Sequence, residues 1–289
     1  MISFLENDKV TRVPNLVKWV GGKNSLYKVL REDIPSEFDT YYEPFFGGGT
    51  LFWNLKNEGK IGRAVISDVD PSIVNLLRVV GTKPYELALE LENYRNLGDS
   101  ENYYRIRANF NQSLKENAEP VSQAAMFLYL NRNCFNGLWR TNKMGEFNVP
   151  YGKYKKYHSP SLGEILHYSS LLENTEILRA NYKFIIGRVK GGDFVYLDPP
   201  YVRTKNSQFI QYNHNTFSDC ELDELERTII NLSEKGVSVM FTNRYCDAVL
   251  ERFYGFKRKL MINSWPVNRD GGKRKEHMHT LSQEKVKFS

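Results

Sequence analysis

Residues 194–201 read Phe194-Val195-Tyr196-Leu197-Asp198-Pro199-Pro200-Tyr201: four apolar residues, then a carboxylate, two prolines and an aromatic ring. A short apolar run closed by turn residues reads as a buried strand. The carboxyl edge of such strands is where open α/β sheets bind ligands. Proline fixes φ and removes a backbone donor, so the turn is stiff and its carbonyls are free to accept. Asp198 and the Pro199 carbonyl thus offer two acceptors beside the Tyr201 ring, a set suited to a planar ligand bearing an exocyclic amino group. The same tetrapeptide also fits an ordinary turn with Tyr201 on the surface. Local sequence leaves both readings open.

Upstream, Thr40 to Glu43 reads as a short strand ending at Pro44, followed by Gly47-Gly48-Gly49 and a helix from Thr50 to Asn57. Ala64 to Ser67 is a second strand, ending in Asp68. Glycine lacks Cβ and tolerates φ > 0, so such a turn lets backbone approach a ligand closely. It is neither GxGxxG nor a P-loop, since the spacing and the lysine are missing. Asp68 has two uses, accepting both ribose hydroxyls of a nucleoside or capping the helix that begins near Pro71. Asp70 competes for the cap and leaves Asp68 freer for a ligand. Lys18-Trp19-Val20-Gly21-Gly22-Lys23 reads either as one wall of a site for an adenosyl ligand with a carboxylate, or as a surface turn around a buried tryptophan.

From about Pro71 to Ser170 the pattern turns helical, with apolar residues three and four apart over Pro84 to Tyr94, Glu101 to Asn111 and Ser122 to Leu130. Asn142 to Val149 reads as a hairpin or loop around Lys143-Met144-Gly145-Glu146. Strand and helix alternate again after Ile177. Ser218 with Glu221 forms a capping box for a helix that stops at Gly236, and Val237 to Thr242 is another buried strand. Lys257 to Ile262 and Thr280 to Lys287 are weaker strands, read as an antiparallel pair. The simplest architecture is an α/β sheet interrupted by a helical insertion.

The 289 residues are 41% hydrophobic, enough for one large core or two modest ones. No run is long and apolar enough to span a bilayer, and Met1 to Asn15 carries no apolar block, so no secretory leader is expected. Three widely spaced cysteines (Cys134, Cys220, Cys246) argue against a disulfide framework and a zinc site and fit a reducing cytoplasm. His277 and His279 have no Cys or His cluster around them, and we expect no metal. The net charge of +6 is unevenly spread. Lys153, Lys155, Lys156 and His158 interleave with Tyr151, Tyr154 and Tyr157, and Lys273, Arg274 and Lys275 follow Gly271-Gly272. Cations mixed with rings suit phosphate contact plus stacking; a solvated basic face has the same composition.

Together, KWVGGK at 18–23, EPFFGGGT at 43–50, SDVDP at 67–71, NRNCFNGLWRTNKMGEFNVPYGKYKKY at 131–157 and DPPY at 198–201 resemble the Dam-type, α-group DNA adenine-N6 methyltransferases. Both the pieces and their order match, over most of the chain. The resemblance implies a Rossmann-like class I methyltransferase α/β sheet with an inserted, mostly helical target-recognition domain. By it, 1–72 and 161–289 form the catalytic domain and 73–160 the DNA-binding one.

It also implies S-adenosyl-L-methionine as methyl donor, with Trp19, Lys23, Phe45, Gly47, Gly49, Asp68 and Asp198 lining its site and Asp68 holding the ribose. Asp198, Pro199 and Tyr201 would be catalytic. Two acceptors on adenine N6 would draw its delocalised lone pair toward the methyl group, so catalysis is mainly alignment and electrostatics. No Pro-Cys nucleophile of the cytosine-C5 type is present. The base would be flipped out and stacked on Tyr201. Lys18, Phe135, Asn136, Leu138, Arg140, Pro150, Tyr154, Lys273 and Arg274 would contact duplex DNA, with Phe135 wedging into the stack and Arg140 reading a guanine. Packing within the helical insertion is the other reading of Phe135 and Leu138.

GATC is the expected target, and the expected protein is a cytoplasmic monomer without metal or membrane contact, with or without a companion restriction endonuclease. Three features depart from the pattern. Trp139 stands where smaller residues are common, 181–186 lacks an acidic residue, and the arm before Lys18 has no assigned role. An RNA or protein amide methyltransferase is the alternative, although Asn would be more usual there in place of Asp198. A catalytically silent DNA-binding homologue is another.

Overall fold

A computed structural model describes residues 13–19, 21–116, 118–154, 159–200, 218–244, 247–253, 255–265 and 274–282. Strands β1 (Thr40–Glu43), β2 (Arg63–Asp68), β3 (Thr175–Arg179), β4 (Phe194–Leu197), β5 (Ser238–Arg244), β6 (Lys257–Trp265) and β7 (Arg274–Ser282) form one sheet in the order β3-β2-β1-β4-β5-β7-β6. The first five are parallel, while β7 runs antiparallel to both β5 and β6. The expected α/β sheet is therefore present.

Parallel neighbours require crossovers. The short one, α2 (Thr50–Asn57), joins β1 to β2. The crossover from β2 to β3 is the helical stretch: α3 (Pro71–Thr82), α4 (Pro84–Glu92), α5 (Ser100–Lys115), α6 (Pro120–Asn133) and α7 (Leu162–Leu171). Helices α8 (Tyr182–Ile186), α9 (Asp219–Glu234) and α10 (Asp247–Arg252) follow β3, precede β5 and follow β5, while the short α1 (Tyr27–Leu30) precedes β1. Helix starts follow the local chemistry. The Asp70, Asp99 and Glu119 side chains accept N–H bonds at the starts of α3, α5 and α6, and Ser161–Glu164 and Ser218–Glu221 are full capping boxes.

Side chains alternate across a strand, and the sheet separates two apolar layers accordingly. Tyr41, Ile66, Phe194, Tyr196 and Met240 face a cluster shared with α2 to α7. Tyr42, Val65, Val195, Leu197, Val239 and Phe241 face a second cluster with α8 and α9. Phe110, Phe127 and Tyr129 of the 73–160 stretch belong to the first cluster, so that stretch is continuous in packing with the sheet. The arm before Lys18 is also built in at its end. Val13 N–H donates to Asn54 Oδ1 (3.0 Å), Asn15 Nδ2 donates to Thr50 Oγ1 (2.9 Å), and Pro14 O accepts from Tyr168 (2.7 Å).

One expectation shifts and one alternative is settled. Among the described residues the last strand begins at Arg274 rather than at Thr280, because β7 pairs with β6 over nine residues and a basic stretch at Arg274 is thereby drawn into the ladder; residues 283–287 lie outside the described residues. Residues 142–149 do close a hairpin. Thr141 bridges Phe147, and Asn142 Oδ1 accepts the N–H groups of Met144 and Glu146 while Gly145 takes φ 78°.

Candidate active site

The chain runs β1-β2-β3 to one side and β4-β5 to the other, so strand order reverses between β1 and β4. That switch point opens a crevice at the strands' carboxyl ends. The glycine turn leaves β1 on one side of it and Asp198 leaves β4 on the other.

The two-residue period that buries Tyr41, Tyr196 and Met240 on one face also carries their i+2 neighbours Glu43, Asp198 and Thr242 to that face. There they form a polar cluster. Lys23 Nζ lies 2.7 and 2.6 Å from the two Asp198 oxygens and donates to Gly21 O at 2.7 Å. The Lys23 side chain is 3% exposed and that of Asp198 21%, so the carboxylate is the member of the pair open to the crevice. Thr242 donates to Asp198 Oδ1 at 2.8 Å, and the Tyr196 hydroxyl lies 3.1 Å from Thr242 Oγ1. With the Thr242 proton committed to Asp198, Tyr196 donates to Thr242. Asp198 is thus fixed in orientation from two sides.

Glu43 is 2% exposed and accepts from the Tyr41 hydroxyl at 2.7 Å. Burial pushes its carboxyl up to about 8. The Tyr41 bond and a backbone N–H of Phe52 oppose the rise, and the Asp198 charge adds to it. Glu43, Thr242 and Tyr196 are absent from the residues expected at the site. Their only sequence signal is a polar side chain within an apolar strand, which marks the residue without naming its partner. Lys23, expected on the cofactor, sits on Asp198.

Across the crevice, Gly47 (φ 47°) and Gly49 (φ 62°) take left-handed backbone. A Cβ on Gly47 would meet the Trp19 ring at 2.7 Å, and one on Gly49 would meet Phe46 Cζ at 2.2 Å. Trp19 therefore lies over the turn, as the wall reading of 18–23 requires. Asp68 ends β2 beside it. Its Oδ2 accepts Gly47 N–H and its Oδ1 accepts Asp70 N–H, both at 2.9 Å, and burial pushes its carboxyl up to about 6 against those bonds. Asp70, not Asp68, caps α3, taking the Ser72 N–H at 2.8 Å. Each Asp68 oxygen keeps a lone pair for a further donor. Phe45 is half-buried and stacks on Tyr182 (centroids 5.2 Å apart), so 181–186 offers an aromatic ring where no acidic residue stands. Acceptor, bare backbone and flanking rings fit a nucleoside-bearing ligand.

A third group forms around the turn after α6. Phe135 N–H donates to Pro150 O (2.8 Å), Gly152 N–H donates to Asn133 O (2.8 Å), and Cys134 bridges Tyr151. Lys18 enters from the N-terminal segment. Its backbone is clasped by Asn131 through two bonds, and its ammonium donates to Arg132 O (2.9 Å) and lies 4.1 Å from the centre of the Tyr154 ring. Lys18, Phe135, Asn136, Pro150 and Tyr154 are thus brought together. Phe135 is 49% exposed and lies outside the buried core clusters, and Asn136 takes φ 54°. Leu138 by contrast packs against the main core. Arg140 Nε donates to Asn148 Oδ1 (2.9 Å) across the hairpin. Burial pushes the Cys134 thiol up to about 12, which keeps it out of nucleophilic chemistry. Tyr201 and Lys273 lie outside the described residues. Arg274 opens β7 opposite Trp265. Among the described residues no three His, Cys, Asp or Glu side chains gather in a way that could hold a metal ion, and no helix is long and apolar enough to cross a membrane.

Residues 19–264 match the model of a protein family described as D12 class N6 adenine-specific DNA methyltransferase. The chain is 32% identical to a type II methyltransferase (M.MjaIII) of Methanocaldococcus jannaschii, over 93% of this chain and 98% of that one. It is 32% identical to a type II methyltransferase (M1.LlaDCHI) of Lactococcus lactis subsp. cremoris, over 88% and 89% of the two chains. To a DNA adenine methylase of Escherichia coli K12 it is 31% identical, over 90% and 91%.

Proposed function

The chain belongs to the D12 class N6 adenine-specific DNA methyltransferases, and from that premise we propose that it methylates a flipped adenine within GATC, taking the methyl group from S-adenosyl-L-methionine. One observation carries this reading. The Asp198 carboxylate, oriented by Lys23 and Thr242, faces the crevice opposite the Gly47–Gly49 turn and Asp68.

S-adenosyl-L-methionine would be held by Trp19, Phe45, Gly47, Gly49 and Asp68, and when bound it supplies an electrophilic methyl on a sulfonium. The chain's own residues do the rest. Asp198 and the Pro199 carbonyl each accept one N6–H of adenine, which draws the nitrogen toward tetrahedral geometry and aims its lone pair across the crevice. Asp198 is an orienting acceptor, already one half of an ion pair. After transfer the nitrogen is cationic, and its extra proton passes to Asp198, the acceptor already bonded to it, and from there to solvent. Tyr201 stacks the flipped ring, offsetting part of the few kcal/mol that unstacking costs. The 73–160 unit reads DNA, with Phe135 entering the base stack and Lys18, Arg140, Pro150 and Tyr154 around it. Lys273 and Arg274 contact the backbone.

The test is transfer of labelled methyl from S-adenosyl-L-methionine to a duplex with one GATC, followed by digestion to nucleosides. N6-methyladenine from that duplex, and none from a duplex with the site scrambled, is the expected result. Asp198→Ala should abolish transfer with duplex affinity within about threefold. Cofactor binding without N6-methyladenine from any duplex would defeat the reading, and equal methylation of both duplexes would defeat the GATC assignment.

A further inference from the structure

We propose that Trp139 couples the cofactor pocket to the DNA-reading turn, so that filling either one tightens binding at the other. The inference rests on Asp68 being a cofactor-holding residue, as argued above.

Trp139 immediately precedes Arg140 on the segment that leads into the hairpin closed by Thr141 and Phe147. Its indole is wedged into an aromatic box, stacked on Phe147 (centroids 4.3 Å apart, 20° between planes) and edge-on to Phe127 (4.3 Å) and Phe110 (5.8 Å). A ring so held can aim its one N–H in only one direction. That N–H donates to Asp70 Oδ2 at 2.8 Å, 69 residues away in sequence. Asp70 is also fixed, because its Oδ1 caps α3 through Ser72 N–H. Its own backbone N–H donates to Asp68 Oδ1, and Asp68 Oδ2 accepts from Gly47 N–H. Four consecutive hydrogen-bonded residues thus run from the DNA-reading hairpin to the glycine turn: Trp139, Asp70, Asp68, Gly47.

The chain is made of short, directional bonds to carboxylates, the kind least tolerant of displacement. Ligand hydroxyls on Asp68 must draw its carboxylate, which moves the Asp70 backbone and with it the acceptor of Trp139. DNA pulling on the hairpin moves the same acceptor from the other end. A shared element biased from both sites is what thermodynamic coupling requires, and the coupling is reciprocal. A smaller residue at 139 would fill the box less and would not hold an N–H at the end of a clamped ring, so the link is a property of the tryptophan.

The experiment is a binding box. Duplex DNA carrying one GATC is titrated by fluorescence anisotropy with and without saturating S-adenosylhomocysteine, a nonreactive analogue, and the ratio of the two Kd values is the coupling factor. In the wild type we expect at least about fivefold. Trp139→Phe keeps a ring in the box and removes the N–H together with the pyrrole half of the indole. It should bring the factor below about twofold while DNA affinity alone and analogue affinity alone each stay within about threefold. Asp70→Asn keeps one oxygen for the α3 cap and turns an NH2 group toward the indole, and it should behave as Trp139→Phe does. The double variant should lose no more than either single one. A purely structural tryptophan would lower stability or both affinities without touching the ratio. Analogue binding with a wild-type factor near one, or a factor retained in Trp139→Phe, overturns the proposal alone. Failure of the analogue to bind the wild type overturns the cofactor reading together with it.

Discussion

Glu43→Gln separates a buried acid from a merely buried side chain, and its effect should depend on pH. In the folded protein the Glu43 carboxyl is raised from 4.5 to about 8, chiefly by burial. In the unfolded chain it ionises near its ordinary value. Above about pH 4.5 the folded state therefore holds a proton that the unfolded state has lost, and stability falls with rising pH by about 1.4 kcal/mol per pH unit until the folded group ionises near pH 8. Between about pH 5 and pH 8 this amounts to about 4 kcal/mol of stability lost by the wild type. Glutamine resembles the protonated acid in shape and cannot ionise. It accepts from the Tyr41 hydroxyl and should cost only about 1 kcal/mol at pH 5. The measurement is urea unfolding, followed by tryptophan fluorescence at pH 5, 6, 7 and 8. Asp68 titrates in both proteins, so its contribution cancels in the difference. We expect the wild type to start more stable and the order to reverse before pH 8. Parallel stability curves would refute both the burial argument and the neutral form of Glu43 at neutral pH.

Three further outcomes follow from the same geometry. Lys23→Met and Asp198→Asn each strand one member of a largely buried ion pair and should cost about 3 kcal/mol, toward the low end for such pairs because Asp198 is 21% exposed; the double variant should recover at least about 1.5 kcal/mol of the sum, and strict additivity in urea melts would deny the pair its weight. Gly49→Ala puts a Cβ 2.2 Å from a Phe46 ring that is 3% exposed, on a backbone of φ 62°, for a loss of about 2–4 kcal/mol; an unfolding midpoint within error of wild type would show that the turn relaxes freely. Arg140→Ala should narrow the rate gap between GATC and duplexes altered at one base pair by about tenfold or more, and an unchanged gap would take base reading away from Arg140.

The helical crossover shows how far pattern reading carries. Apolar spacing located α4, α5 and α6, but α6 extends from Pro120 to Asn133 because Glu119 caps it, a role glutamate takes less often than aspartate or serine. The hairpin at 142–149 was open between two readings, since Asn142 and Gly145 suit a loop equally well. The antiparallel pair at the end of the sheet is legible, but the sequence pattern starts β7 at Thr280, because Arg274-Lys275-Glu276 reads as solvent-exposed while its pairing depends on β6.

The sequence by itself determined what each short stretch is made for. The run before Asp198 is a buried strand, Gly47 and Gly49 supply left-handed backbone, and Asp70 caps a helix beside Asp68. These follow from chemistry acting over a few residues, where neighbours in sequence are neighbours in space. The tertiary structure alone decided which groups meet. It set Lys23 on Asp198 across 175 positions, Thr242 on the same carboxylate across 44, and the Trp139 indole on Asp70 across 69. The burial that neutralises Glu43 belongs to the same level. Strand order and helix packing create these contacts and the low dielectric around them, and neither is written in any one segment.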